Sequence, residues 1–123
     1  MSRQPSACAF VIPVAVPSAA NLREHWAARA RRTRRLRLVA RLLCRQFAPA
    51  AVVAAARARG AEIGLVRVAP RRLDDDNLAA ACKALRDGIA EALGVDDGSP
   101  TLRWSYGQEQ GRPSAVRVTI EAR

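Results

Sequence analysis

Leu78, Cys82, Leu85, Ile89 and Leu93 recur at intervals of three or four residues, and Gly94 follows the last of them. That spacing gathers five apolar side chains on one face of a helix, read here as 77–93, which must be buried against something. What precedes it is the short apolar run Ile63–Val68, which suits a buried strand. A strand leading into an amphipathic helix points to helices packed on a sheet, not to a purely helical bundle.

The remaining pattern extends that plan. Cys8, Phe10, Ile12 and Val14 alternate with smaller residues as in a strand, and Pro13 places it at an edge or marks its end. Pro17-Ser18-Ala19-Ala20-Asn21 is turn-like. A long helix is expected from Leu22 to Phe47, with Leu36, Val39, Leu43 and Phe47 as its apolar stripe. Pro49 breaks it, and Ala50–Arg59 forms a second helix closed by Gly60. Leu102, Trp104 and Tyr106 alternate, as do Val116, Val118 and Ile120, with Gly107–Pro113 between them. The expected order is β-α-(α)-β-α-β-β with the last two strands a hairpin. This is a single α/β (α+β) domain over residues 1–123, with a mixed sheet packed with helices.

Charge is distributed unevenly. The net charge is +10, from 21 basic and 11 acidic residues, and Lys83 is the only lysine. Residues 1–73 hold 15 Arg against Glu24 and Glu62, whereas seven of the eleven acids fall between Asp74 and Asp97. A basic body with one acidic patch suits a polyanion together with a divalent cation. The arginine excess also fits a GC-rich coding bias. No stretch approaches the roughly 20 uncharged apolar residues of a membrane span, so no membrane partner is expected. Cys8, Cys44 and Cys82 are scattered and odd in number, and read as reduced thiols of a cytoplasmic protein. The run from Ala7 to Val16 imitates a signal peptide, but Pro13 and Pro17 interrupt it.

The chemistry concentrates in Arg71-Arg72-Leu73-Asp74-Asp75-Asp76-Asn77, between strand and helix. In an extended segment Asp74 and Asp76 point to one side and converge on one ion. Hard oxygen ligands at that spacing suit Mg²⁺ or Mn²⁺. The competing reading is that the aspartates cap the helix and complement its dipole. Asp96-Asp97, beyond the helix and before Gly98, read alone as a turn. A continuous helix would place Lys83 about 20° from the azimuth of Asp76, while an i,i+4 pair with Asp87 is the alternative.

Arg29, Arg31, Arg32, Arg34, Arg35, Arg37, Arg41 and Arg45 lie on the first helix with no acid among positions 29–45. Such like charges repel, and a phosphate backbone relieves them by counterion release; a solvated face is the plainer reading. His25 and Trp26 stand at the head of this helix, fit to reach a phosphate and stack on a base. A packing role is the stronger reading for Trp26.

Together these residues resemble the RusA family of Holliday junction resolvases. That family carries D-x-D-N at a strand-to-helix junction, then a lysine with an aspartate four residues later, then a D-D pair. Here Asp74-x-Asp76-Asn77, Lys83, Asp87 and Asp96-Asp97 match in order, preceded by Arg71-Arg72. Pro17-Ser18 and Asn21 also look like the family's opening. The resemblance implies a homodimeric, Mg²⁺-dependent endodeoxyribonuclease that cuts four-way DNA junctions in recombination and repair, cytoplasmic and associated with the nucleoid. It implies metal ligation by Asp74, Asp76 and Asp97, a catalytic Lys83, and DNA contacts from Arg71, Arg72, Arg31, Arg32, Arg34, Arg35 and His25. Lys83 stands seven residues after Asp76, where the family usually has four. Either the helix begins a turn earlier here or Lys83 does another job. The rival reading from another class is a non-catalytic Arg-rich protein that binds DNA or junctions.

Overall fold

The computed structural model describes residues 6–18 and 25–123. Its elements are β1 (Ala7–Ile12), α1 (Trp26–Phe47), α2 (Ala50–Arg59), β2 (Ala61–Ala69), α3 (Asp75–Ala81), α4 (Lys83–Leu93), β3 (Leu102–Gln110) and β4 (Ala115–Ala122). The four strands form one mixed sheet in the order β1-β4-β2-β3. The protein is a small single-domain α+β fold. Residues 19–24, including the end of the expected turn and the start of the expected first helix, lie outside the described residues.

Alternation along the strands decides where the core sits. Ile63 and Leu65 of β2, Val116, Val118 and Ile120 of β4, and Phe10 and Ile12 of β1 are buried. Their neighbours in sequence, such as Glu62, Arg117 and Thr119, are exposed. Side chains of period two on one face of a sheet produce this pattern when helices cover that face alone. The register sets Ile63 opposite Ile120 and Leu65 opposite Val118, and Phe10 opposite Val118 on the other side. Pro13 directly follows β1, which is an edge strand as expected.

The expected β3–β4 hairpin does not form. β2 lies between them, parallel to β3 and antiparallel to β4. The reason is physical: β2 buries Ala61, Ile63, Leu65 and Ala69 on its inner face and half-buries Val66 and Val68 on the other, so it gains most from a neighbour on each side. A parallel pair needs a crossover connection, which α3 and α4 supply between β2 and β3. The short link from β3 to β4 then passes over the end of β2, where the amide of Gly111 donates to the Ala69 carbonyl at 3.0 Å.

The helices also depart from expectation in detail. The buried residues of α1 are Leu36, Ala40 and Cys44, flanked by the half-buried Val39 and Leu43. Phe47 is half exposed and stacks on Phe10, with ring centroids 6.3 Å apart. The core-facing stripe is thus rotated by about one residue from the expected one, because small Ala40 and Cys44 let α4 come close. Gly88 of α4 sits against the backbone of Arg37 and the side chain of Ala40, where a methyl group would collide. The amphipathic run is confirmed, since Leu78, Cys82, Leu85, Ile89 and Leu93 are all buried. It is nevertheless two helices, broken at Cys82, whose φ and ψ are −85° and −3°. Gly94 closes α4 at φ 73°, and Arg57 of α2 donates to the Leu93 carbonyl at 3.1 Å, a cation on the negative end of the helix dipole. Among the described residues no single helix is long and apolar enough to cross a membrane, and α1 and α2 meet at a bend of 112°.

Candidate functional site

The acidic run begins where β2 has left the sheet. Asp74 is the N-cap of α3, extended at φ −64° and ψ 153°, and its carbonyl accepts from the Leu78 amide at 2.8 Å. Its carboxylate makes no capping bond, and Asp75 and Asp76 occupy the first turn. All three side chains are exposed. The helix therefore starts at Asp75, not Asn77, so Asp74 and Asp76 are not both in an extended segment. Their convergence on one ion is not enforced by strand geometry as the spacing suggested. Asp75 and Asp76 do complement the positive end of α3.

Position is imposed on this run from across the fold. The amide of Leu73 donates to the Gln108 side-chain oxygen at 2.7 Å, and the Gln108 amide nitrogen donates to the Leu73 carbonyl at 2.6 Å. One β3 side chain thus pins the peptide just before Asp74. Sequence reasoning missed the role of Gln108, although its place two residues after Tyr106 on the alternating face of β3 is a usable signal.

Asp97 comes to Lys83. The ammonium at the start of α4 sits 2.6 Å from Asp87 Oδ1 and 2.7 Å from Asp97 Oδ2. The loop after Gly94 folds back along α4, so the two ends of the helical run need not meet directly. Arg86 secures that loop: its Nη2 donates to the Asp97 carbonyl at 2.9 Å, and its Nη1 to the Tyr106 hydroxyl at 3.1 Å. The guanidinium carbon lies 4.9 Å from the Trp104 ring centroid, a cation–π contact. Trp104 Nε1 adds a second bond to the Asp97 carbonyl at 3.2 Å. Arg86 and Trp104 were also missed. Asp96 keeps the turn role, its Oδ1 accepting from the Gly98 amide at 2.8 Å.

Electrostatics follow from these contacts. Hydrogen bonds to Asp87 and then Asp97 raise the Lys83 ammonium above its ordinary pKa. The bond from Lys83 holds the Asp97 carboxyl below the usual carboxylate range. Burial pushes the thiols of Cys44 and Cys82 up to about 12 and about 11, so both are neutral and unreactive at pH 7. All three cysteines are free.

The helix break repositions Lys83. With the turn at Cys82, the azimuth that related Lys83 to Asp76 on a continuous helix no longer applies. Lys83 takes the i,i+4 pair with Asp87 and adds Asp97 to it. A cleft of about 340 Å³ opens beside them, lined in part by Arg37, Glu91 and Asp96. A second of about 220 Å³ separates Lys83 and Asp87 from Arg29 and Arg32. Among the described residues no group of three or more His, Cys, Asp or Glu side chains is gathered as a metal site would require. Asp74 and Asp76 stay on one side and Asp97 on Lys83.

Six of the eight arginines of α1 divide into two sets, Arg29 and Arg32 standing at the second cleft. Arg37 and Arg41 reach across to Glu91 of α4, so an acid from another element partly compensates this helix. Arg31, Arg34, Arg35 and Arg45 are exposed; with Leu38 and Leu42 they occupy about 100° of arc opposite the core-facing stripe. His25 is the N-cap of α1, its Nδ1 accepting from the Ala27 amide at 3.2 Å. Trp26 does not pack: it is 76% exposed, because it lies about 15 Å along the helix from Leu36, the first buried residue. It touches the His25 ring, at 5.4 Å between centroids. Arg71 and Arg72 are exposed beside the acidic run. No protein family, curated protein or solved structure matches the chain.

Proposed function

We propose that this protein is a structure-specific endodeoxyribonuclease that resolves four-way DNA junctions as a homodimer with Mg²⁺, Mn²⁺ being the alternative ion. The observation that carries the reading is the exposed Asp74–Asp76 run, which has no ion-pair partner among the described residues and stands beside Arg71 and Arg72 on a strongly basic chain. A solvated carboxylate pair suits Mg²⁺, which keeps several waters and takes phosphate oxygens alongside one or two carboxylates. Asp97 would join it only by leaving Lys83. The resemblance to RusA-type resolvases, in the order Asp74, Asp76, Asn77, Lys83, Asp87, Asp97, supports the same reading.

The chain's own groups fit phosphodiester hydrolysis without a covalent intermediate. The Cys44 and Cys82 thiols are neutral and buried and His25 caps α1, so among the described residues no thiol or imidazole stands at the acidic run as a nucleophile. Lys83 keeps its proton, so its contribution is positive charge near a phosphate, not proton abstraction. The ion, when bound, neutralises phosphate charge and lowers the pKa of a coordinated water. Exposed Arg31, Arg34, Arg35, Arg71 and Arg72 hold the DNA backbone, with Arg32 and His25 beside them. Two cuts of like polarity need two sites related by a two-fold axis, hence the dimer.

Cleavage of a four-way junction against linear duplex, with Mg²⁺ and with chelator, tests this. Junction-selective nicking that Asp76→Asn abolishes while binding persists is the expected result, together with a mass in light scattering twice the 13.3 kDa of the chain. Full cleavage by Asp76→Asn removes the site assignment. The second reading, a junction-binding protein that does not cut, is favoured by one observation: Lys83 and Asp97 are tied to each other and not to Asp74 or Asp76. Binding without cleavage in any divalent metal selects it.

A further inference from the structure

Arg67 projects from β2 onto the core face of the sheet, where every other described residue of that strand's inner row is apolar. It is only 8% exposed. Its Nε donates to the Val16 carbonyl at 2.7 Å and its Nη1 to the Arg71 carbonyl at 2.8 Å. Nη2 has no protein partner among the described residues, and no carboxylate there lies within ion-pair distance of Arg67, Arg71 or Arg112. These three arginines line one cavity of about 380 Å³, together with Val16, Ser114 and Pro70. Burial lowers the Arg67 pKa, as expected of a cation taken from water without a counter-charge. A guanidinium offers five N–H donors in a rigid fork, and here two are spent on carbonyls that carry no formal charge. Three arginines and a serine line this cavity with no acid among its lining residues, a composition that suits an anion.

We propose that the Arg67–Arg71–Arg112–Ser114 cavity is a binding site for a tetrahedral phosphate group. Arg67 is the preorganised floor, fixed by its two carbonyl bonds. Arg112 and Arg71 close on the anion from the exposed rim, and Ser114 donates its hydroxyl. The bond from Arg67 to the Arg71 carbonyl ties the cavity to the segment that carries Asp74, three residues further along. Resting on the nuclease reading, the phosphate is one of the DNA backbone, seated to present a neighbouring phosphodiester to the acidic run. The same oxyanion chemistry would admit a free phosphate, and the two sources are separable.

The test titrates inorganic phosphate into the full chain at constant ionic strength, with chloride as the reference, and follows amide shifts at Ala15, Val16 and Ser114. Saturable shifts are expected with phosphate and not with chloride. Arg112→Gln and Ser114→Ala, both at the rim, should each weaken phosphate by about tenfold with unchanged thermal midpoint, while Arg103→Gln on the exposed side of β3 leaves it intact. Arg67→Met should abolish binding, and if it does not fold the rim variants decide. In a second arm, Arg112→Gln should lower the salt slope of DNA binding by about 0.9, the share of one neutralised phosphate. Shifts that do not saturate, or rim variants that bind phosphate as the parent does, overturn the proposal. Phosphate binding weakened about tenfold in Arg112→Gln, with no affinity for DNA in the parent, keeps the cavity as a free-phosphate site and removes the nuclease reading. Junction cleavage with phosphate and DNA affinities both indifferent to Arg112→Gln removes the cavity and leaves the nuclease reading standing.

Discussion

Gln108 holds the Leu73 peptide from both sides, accepting from its amide and donating to its carbonyl at 2.7 and 2.6 Å. An edge strand thereby fixes the entry to α3 and the position of Asp74. Gln108→Ala leaves a half-buried peptide without partners, at a cost of about 1–3 kcal/mol. The expected outcome is a lower denaturant midpoint, faster hydrogen exchange at the Leu73 amide and, on the proposed nuclease reading, a larger loss of cleavage than of DNA affinity. Unchanged exchange at Leu73 would show that the loop holds itself.

The Lys83–Asp97 pair sets a pH window. The Asp97 pKa is depressed in the folded state, so its stabilisation is present above its ordinary value and is lost as pH falls through the folded one. The Lys83 pKa is raised, so its stabilisation is present below its ordinary value and is lost as pH rises through the folded one. The pair is therefore closed between the ordinary values of 3.8 and 10.5. Carboxyl titration by NMR should place Asp97 below 3.8 in the parent and return it towards that value in Lys83→Ala. Because both side chains are partly exposed, a double-mutant cycle should give only about 0.2–1 kcal/mol.

The exposed face of α1 makes a separate electrostatic prediction. Neutralising Arg31, Arg34 and Arg35 should reduce the salt slope of DNA binding by about 0.9 for each phosphate that is no longer neutralised. Arg37, already shared with Glu91, should change it less. A slope indifferent to the first set would assign that face, with Leu38 and Leu42, to something other than DNA.

Gly88 is where α4 comes closest to α1. Gly88→Val places methyl groups against the Arg37 backbone and Ala40, and overpacking of this kind costs about 1–3 kcal/mol. Thermal denaturation should show a lower midpoint, and Ala40→Gly in the same chain should restore only part of it, because the backbone of Arg37 still obstructs.

The presence and order of the helices and strands were legible in the residues because they depend on local repetition, whereas the start at Asp75 and the break at Cys82 were not. Leu78 to Leu93 announces a buried face through its own spacing, and Gly60 and Gly94 announce helix ends through the positive φ they adopt. The Asp74–Asp76 run at a strand-to-helix junction was equally plain. Tertiary structure alone decided that β2 stands between β3 and β4, since that follows from which strand gains most by having two neighbours. It also decided that Asp97 returns to Lys83, that Gln108 grips Leu73, and that Arg67 stands buried beside Arg71 and Arg112. Each of these joins residues from different elements or distant turns, at positions where charge and hydrogen-bonding capacity are visible in the chain but the partner is not. Local periodicity sets which face a residue takes, whereas the partner it meets there is chosen by how the whole sheet and its helices pack.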